Sequence, residues 1–254
     1  MSHSTTFFKA PRYLFRKHNI LNLISNRTDI KTFLDVGCGA GELACTLAEM
    51  GKKGVAVDFS ESAIAIATSM RKSRSIKQSD LTFKLGGLEN VAGKKFDLVT
   101  CFEVLEHVKN DKKLLHEIVK QSKKYVLISV PAKQRLFDAS DEAVGHFRRY
   151  EKEELLKMLD GANLGVITFI NYGYPFTNAV RISRKSAFII KLIRNKKTSM
   201  KNRSKDSGIN PIKLPTALTK LDIERVIIPF YHMSRPFNRF DLSEGYLVLC
   251  EKRP

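Results

Sequence analysis

Three stretches of this chain carry residues whose types and spacing could do chemistry. The first is Asp35-Val36-Gly37-Cys38-Gly39-Ala40-Gly41. It follows the strand-like Thr32-Phe33-Leu34 and runs at once into a helical pattern, Glu42, Leu43, Ala44, Leu47 and Ala48. Strand, glycine-rich turn and helix in that order form the floor of a nucleotide site. Glycines let a ligand lie directly against the main chain, and the helix-start N–H groups face it as donors. The spacing is Gly37-x-Gly39-x-Gly41, not the G-x-G-x-x-G of dinucleotide binders, and Glu42 puts an anion where a pyrophosphate would have to sit. A second strand, Gly54-Val55-Ala56-Val57, ends in Asp58, placed to accept both hydroxyls of a ribose. Such a site suits a nucleoside without phosphates.

The second stretch is the buried-type strand Phe96–Cys101 with its continuation Phe102-Glu103-Val104-Leu105-Glu106-His107-Val108. A polar cluster at the carboxyl end of a parallel strand is where open α/β sheets place their sites. The third is long for a connector. After Pro131 come Asp138, Asp141 and Gly145-His146-Phe147-Arg148-Arg149-Tyr150. Long loops at that edge act as lids or substrate walls. His146 is expected in the active site. Arg148, Arg149 and Tyr150 are expected to cap the following helix and to pair with Glu151, Glu153 or Glu154.

With Asp35 before the glycines and Asp58 ending the next strand, the first stretch resembles the first motif of class I S-adenosylmethionine (SAM) methyltransferases, which commonly reads D-x-G-C-G-x-G. The run F-E-V-L-E-H-V is similar to the fourth motif of methyltransferases acting on small molecules, including those of ubiquinone biosynthesis. The pattern D…G-H-x-R-R-Y resembles a loop of bacterial members tied to small-molecule or cell-surface glycan pathways. The resemblance covers residues 30–170 and, beyond them, the final strand. It implies SAM as cofactor, held by Asp35, Gly37, Cys38, Gly39, Gly41, Asp58, Phe59, Leu88 and Glu103, the last near the cationic methionine end. Where the family usually has an acidic residue close to adenine this chain has Gly87, so adenine is read either by main-chain groups around Leu88 or by Glu89. A hydroxyl acceptor needs a base for its proton, and His146 and His107 are the two candidates. His107 is either that base or a structural tie between loop and sheet. No metal is expected.

Regular elements must position these residues. Pro11–Ile24 reads as an amphipathic helix, packed on the sheet or covering the cofactor cleft. Helices follow the glycine turn, Ser60 and Asn110, and one runs from Lys152 to Leu159; further strands are Leu81–Leu85, Tyr125–Val130, Leu164–Ile170 and Gly245–Glu251. A helix over Leu218–Ile228, stopped by Pro229, and a loop over Tyr231–Phe240 are expected near the end. The resemblance makes this an α/β Rossmann-like class I methyltransferase fold, a seven-stranded, mostly parallel sheet with helices on both faces and an antiparallel last strand. One domain over 1–254 is expected, with a tail and helix at 1–30, a SAM-binding core at 31–171, an insertion at 172–240 and the last strand at 241–254.

The bulk properties agree with a globular chain: 254 residues, 43% hydrophobic and 28% charged. No apolar run approaches the ~20 residues that span a bilayer, and Lys9, Arg12, Arg16 and Lys17 interrupt any signal-peptide core. Cys38, Cys45, Cys101 and Cys250 show neither a C-x-x-C pair nor metal spacing, which suits reduced thiols and a cytoplasmic location. The net charge of +18 is uneven, because residues 181–205 hold ten Lys or Arg and no acid. Within them Ile182, Phe188, Ile189, Ile190, Leu192 and Ile193 gather on one helical face. A basic amphipathic helix of this kind marks 181–205 for peripheral membrane contact, with an ordinary packed helix as the alternative. A small-molecule, lipid-linked or glycan acceptor, methylated on a hydroxyl oxygen, is the expectation. A SAM-binding non-catalytic partner protein is an alternative. A nucleic-acid methyltransferase has only the charge in its favour, and no N-P-P-Y-type tetrapeptide follows Phe96–Cys101. The glycine spacing and Glu42 speak against a nicotinamide oxidoreductase.

Overall fold

Strict alternation along the central strands sets the architecture. In β1 (Thr32–Val36), Leu34 and Val36 face one core and Phe33 the other; in β5 (Ser122–Pro131), Val126, Ile128 and Val130 oppose Tyr125 and Leu127. Strands buried on both faces read as near-continuous apolar runs and require cover on both sides. The computed structural model describes residues 11–181 and 223–254. Its sheet has seven strands in the order β3-β2-β1-β4-β5-β7-β6, with β2 Lys53–Asp58, β3 Leu81–Leu85, β4 Phe96–Phe102, β6 Leu164–Asn171 and β7 Gly245–Lys252. The pairings β3-β2, β2-β1, β1-β4 and β4-β5 are parallel, while β7 runs antiparallel between β5 and β6. This is the expected class I methyltransferase sheet.

Helices close both faces. On one side Leu14, Phe15, Ile20 and Ile24 of α1 (Pro11–Ile24) pack with Leu43 and Leu47 of α2 (Glu42–Glu49) and with Ile227 and Tyr231 of the C-terminal helix (Ile223–Ser234). On the other, Leu115, Ile118 and Val119 of α4 (Asp111–Gln121) and Leu155 and Leu159 of α6 (Lys152–Gly161) cover the sheet. Burying a side chain of this size stabilises the fold by roughly 1.5–3 kcal/mol. Between β2 and β3 lies α3 (Glu61–Ser73), whose N-cap Ser60 accepts the N–H of Ala63.

The order reverses at β1. The chain builds β2 and β3 on one side of it, then crosses to β4 on the other, so a crevice opens between the carboxyl ends of β1 and β4. Both motifs that the sequence singles out start there.

The final third departs from the sequence expectations. The C-terminal helix runs through Pro229 to Ser234, and Arg235–Arg239 form a 3-10 turn where a loop over Tyr231–Phe240 was expected. Burial of Ile227, Tyr231 and Ser234 outweighs the hydrogen bond that Pro229 removes. A further helix begins at Phe176. The tail over 1–10 and the basic stretch after Arg181 lie outside the described residues. Among the described residues no helix is long and apolar enough to cross a membrane.

Candidate active site

The glycine turn is built around close approaches. Gly37 has φ +73, and a Cβ there would come within 2.4 Å of Val104 Cγ2. The turn after β1 therefore lies flat against the segment after β4. Gly39 also has a positive φ of +53, but a Cβ there would meet nothing within 4 Å. Open space above a glycine backbone is what a ligand resting on the main chain needs. Gly41 is the N-cap of α2, and Cys38 is a mostly buried thiol whose pKa is pushed far up by burial and by Asp35 and Asp58.

Asp58 closes the cradle from β2. Its Oδ2 accepts the Gly39 N–H at 2.8 Å and its Oδ1 the Ser60 N–H at 2.9 Å. Each oxygen keeps a second lone-pair direction, so the carboxylate can still accept ribose hydroxyls. Phe59, the next residue, is 66% exposed and borders Gly87, offering a flat apolar wall. Leu88 starts a 3-10 turn and packs on the core, while Glu89 folds back to accept the Gly87 N–H at 2.6 Å. Asp35 is buried and accepts the Thr100 hydroxyl at 2.7 Å. Burial pushes its pKa up to about 6, with a further rise from Asp58 and an opposing hydrogen bond from Thr100.

Glu103 stands at the carboxyl end of β4 with φ +55, and its carboxylate is already engaged. Arg12 Nη2 lies 2.7 Å and Arg16 Nη1 3.2 Å from it, and Ser129 donates at 3.0 Å. Burial alone would raise its pKa, but the two guanidinium groups hold it below the usual carboxylate range. Glu103, expected near the cationic methionine end, is thus part of a charge cluster with Arg12 and Arg16. In the sequence, Arg12 and Arg16 stand out only as interruptions of a signal-peptide core; their i, i+4 spacing, which puts both on one side of an amphipathic helix, was the available signal. The apolar face of α1 packs on the sheet, and its arginines reach Glu103 at the carboxyl end of β4. Glu42 is likewise not an isolated anion, because Lys17 bridges it at 3.1 Å and Glu224 at 2.9 Å.

The long connector proves to be a short helix, α5 (Ala139–Val144), framed by a capping box between Asp138 and Asp141. Gly145 turns the chain back with φ +87, and Phe147 N–H donates to the Glu106 carbonyl at 2.8 Å. This brings His146 onto the segment after β4. Its ring meets that of His107 edge-on at 4.6 Å, and its Nε2 lies 3.9 Å from Glu106 Oε1. Glu106 is fully buried, and neither carboxylate oxygen accepts a hydrogen bond. Burial and the neighbouring Glu103 push its pKa well above the usual range. Burial and His146 push the His107 imidazole down to about 4, while its Nδ1 faces the Gly145 carbonyl at 3.2 Å. One donor atom from each of Glu106, His107 and His146 falls within 4.8 Å of the others, a set that could hold a cation. Sequence spacing gave no hint of it, because His146 arrives from a segment far along the chain.

The arginines of the G-H-x-R-R-Y loop do not pair with Glu151, Glu153 or Glu154. Arg148 bridges Asp111 at 2.7 Å, Arg149 bridges Asp141 at 2.9 Å, and the Tyr150 hydroxyl donates to Asp111 at 2.8 Å. The loop folds inward over α4 and the site instead of capping α6.

The family described as "Methyltransferase domain" matches residues 28–163, more than half of the chain. The chain belongs to that family. Two relatives, each named ubiquinone biosynthesis O-methyltransferase, resemble this methyltransferase-domain chain in sequence. The one from Rickettsia conorii is 36% identical over 100 residues, 39% of this chain and 34% of that protein. The one from Idiomarina loihiensis is 31% identical over 165 residues, 57% of this chain and 67% of that protein. The chain thus spans between about a third and two thirds of these relatives' length. Among solved structures, a methyltransferase-like protein from Bacillus halodurans superposes with a TM-score of 0.56 at 19% identity, covering 93% of this chain and 98% of that one. At that identity the likeness concerns the fold.

Proposed function

We propose that this chain is a SAM-dependent methyltransferase that methylates a hydroxyl oxygen of a small, lipid-linked or glycan acceptor. One observation carries the reading. The nucleoside cradle and the Glu106–His107–His146 cluster share one edge of the sheet, locked together where Gly37 meets Val104. A cofactor laid on Gly39 with its ribose on Asp58 would have its reactive end directed at the segment after β4. Arg16, beside the Phe102 ring at 5.8 Å, is a suitable partner for the methionine carboxylate. Asp35 supplies a buried carboxylate under the turn.

Bound SAM supplies a methyl group on a positively charged sulfur, with a neutral thioether as leaving group. The protein has to align the acceptor oxygen with the S–CH₃ bond and keep water out, and such positioning supplies much of the rate. His146 Nε2, the ring nitrogen turned toward the cluster, would take the acceptor's hydroxyl proton as that oxygen is methylated. His107, half-buried and held to the Gly145 carbonyl, ties the loop to the sheet.

A second reading of the cluster is favoured by Glu106. A buried carboxylate without a hydrogen bond is costly unless it is protonated or a cation meets it. Glu106, His107 and His146 would hold a divalent ion, which lowers the pKa of an oxygen bound to it. EDTA treatment separates the two readings. Activity that survives it, with His146→Ala inactive, leaves the imidazole alone as base.

The acceptor class rests on the relatives' printed names and on surface chemistry. Val226, Phe230 and Met233 form an exposed apolar line on the C-terminal helix, and residues 181–205 are strongly basic. Together they suit an anionic membrane surface where an apolar acceptor resides. Sedimentation with anionic against neutral vesicles tests that part. The central test is calorimetric titration with SAM and NADH. Micromolar SAM binding, weakened sharply by Asp58→Ala, supports the reading; preference for NADH overturns it.

A further inference from the structure

We infer that Asp141 is a positioning residue that holds His146 as its Nδ1–H tautomer and so turns the Nε2 lone pair onto the Glu106 side of the site. The inference deepens the reading of His146 as an acting group and rests on it only for the purpose, not for the geometry.

Oδ1 of Asp141 lies 2.9 Å from His146 Nδ1. An ionised carboxylate only accepts, so the proton between them belongs to Nδ1 and Nε2 is left as the acceptor nitrogen. The carboxylate is itself immobilised. Its Oδ2 takes Arg149 Nε at 2.9 Å and the backbone N–H of Asp138 at 3.0 Å. Asp141 is 3% and Arg149 6% exposed, so these bonds are shielded from water. Although burial would raise the Asp141 pKa, the bonds from His146 and Arg149 hold it below the usual carboxylate range.

The backbone adds a second tie. The left-handed Gly145 reverses the chain after α5, and His146 N–H donates to the Asp141 carbonyl at 2.9 Å. Ring and carboxylate are therefore fixed to one another through both main chain and side chain. The capping of α5 accounts for Oδ2 alone. Nothing in a helix cap requires Oδ1 to meet an imidazole, or an arginine five residues past the end of the helix to return to the same carboxylate. Arg149 acts through Asp141, and Asp141 through His146. The arrangement matches the general pattern in which an outer carboxylate sets the tautomer and aim of a working imidazole.

The test is long-range ¹H–¹⁵N correlation of histidine-labelled full-length protein, with His146 assigned from the spectrum of His146→Gln. The wild type is expected to show His146 protonated on Nδ1. Asp141→Ala should shift the proton to Nε2, whereas Asp141→Asn, whose amide oxygen still accepts, should restore the wild-type pattern. Thermal melts of the same samples report the fold, and a merely structural role would move the melt without moving the tautomer. A wild-type His146 protonated on Nε2, or an unchanged tautomer in folded Asp141→Ala, overturns the inference. Should Asp141→Ala fail to fold, the wild-type spectrum alone decides. SAM titration of the same samples reads the methyltransferase proposal separately, so the two can fail independently.

Discussion

Asp58 Oδ2 accepts the backbone N–H of Gly39 at 2.8 Å, so one carboxylate joins the end of β2 to the middle of the glycine turn. The residue expected to hold the ribose is also the one that shapes the surface on which the ribose would lie. Asp58→Ala should therefore lose SAM affinity for both reasons, while Asp58→Asn, which can keep the Gly39 bond through its amide oxygen, should lose only part of it. Calorimetric titration of the two variants side by side checks this; equal losses would show that the turn does not depend on the bond.

Gly37 and Gly39 separate a clash inside the protein from contact with a ligand. Gly37→Ala must take a left-handed conformation, costing about 1–2 kcal/mol, and push Val104 away, costing about 1–3 kcal/mol more. Its melting temperature should fall by many degrees. Gly39→Ala carries the same left-handed cost of about 1–2 kcal/mol but meets no neighbour, so it should melt below the wild type and above Gly37→Ala, while its methyl group would occupy the ligand's space and SAM binding should be lost. Melting curves with and without SAM distinguish the two.

Glu106→Gln should stabilise the protein in EDTA. Both oxygens of the buried carboxyl lack hydrogen bonds, and leaving a polar group so costs roughly 1–3 kcal/mol. Burial and Glu103 already favour the neutral acid, so the gain from an amide of almost the same volume should grow as rising pH forces the wild-type carboxyl to ionise. If a divalent ion occupies the cluster, added Mg²⁺ or Zn²⁺ should raise the wild-type melting temperature and leave that of the variant unchanged.

Asp35 predicts a pH dependence with a definite sign. Its folded pKa of about 6 lies above the value in an unfolded chain. Between about pH 4 and pH 6 the folded protein binds more protons than the unfolded one, so this residue's contribution falls as pH rises, by about 3 kcal/mol, and levels off above that window. Asp35→Asn should lack the slope. Chemical denaturation of both proteins at pH 5 and pH 7.5 checks it: the variant should gain on the wild type at the higher pH.

Local pattern made the strand–turn–helix unit around the glycine turn legible. The positions of Gly37, Gly39, Gly41 and Asp58 are dictated by neighbours in sequence, and a strand–turn–helix unit has few ways to fold. The same holds for the seven-stranded sheet, whose apolar runs and turn signals each announce one element. Pro229 was misread because propensity is a weak prior against the burial of Ile227 and Tyr231. The pairings in the Glu103 and Glu106–His107–His146 clusters were decided by tertiary structure alone. Arg12 reaches Glu103, and His146 reaches Glu106, across spans of chain with no pattern linking them. Arg149 chose Asp141 over the nearer glutamates because the buried carboxylate lies inside the folded loop, where a charge-assisted bond is strongest. The sequence by itself determined the sheet, the cradle and the family; only the folded chain decided which charges meet, because charges pair by distance in space and not by spacing along the chain.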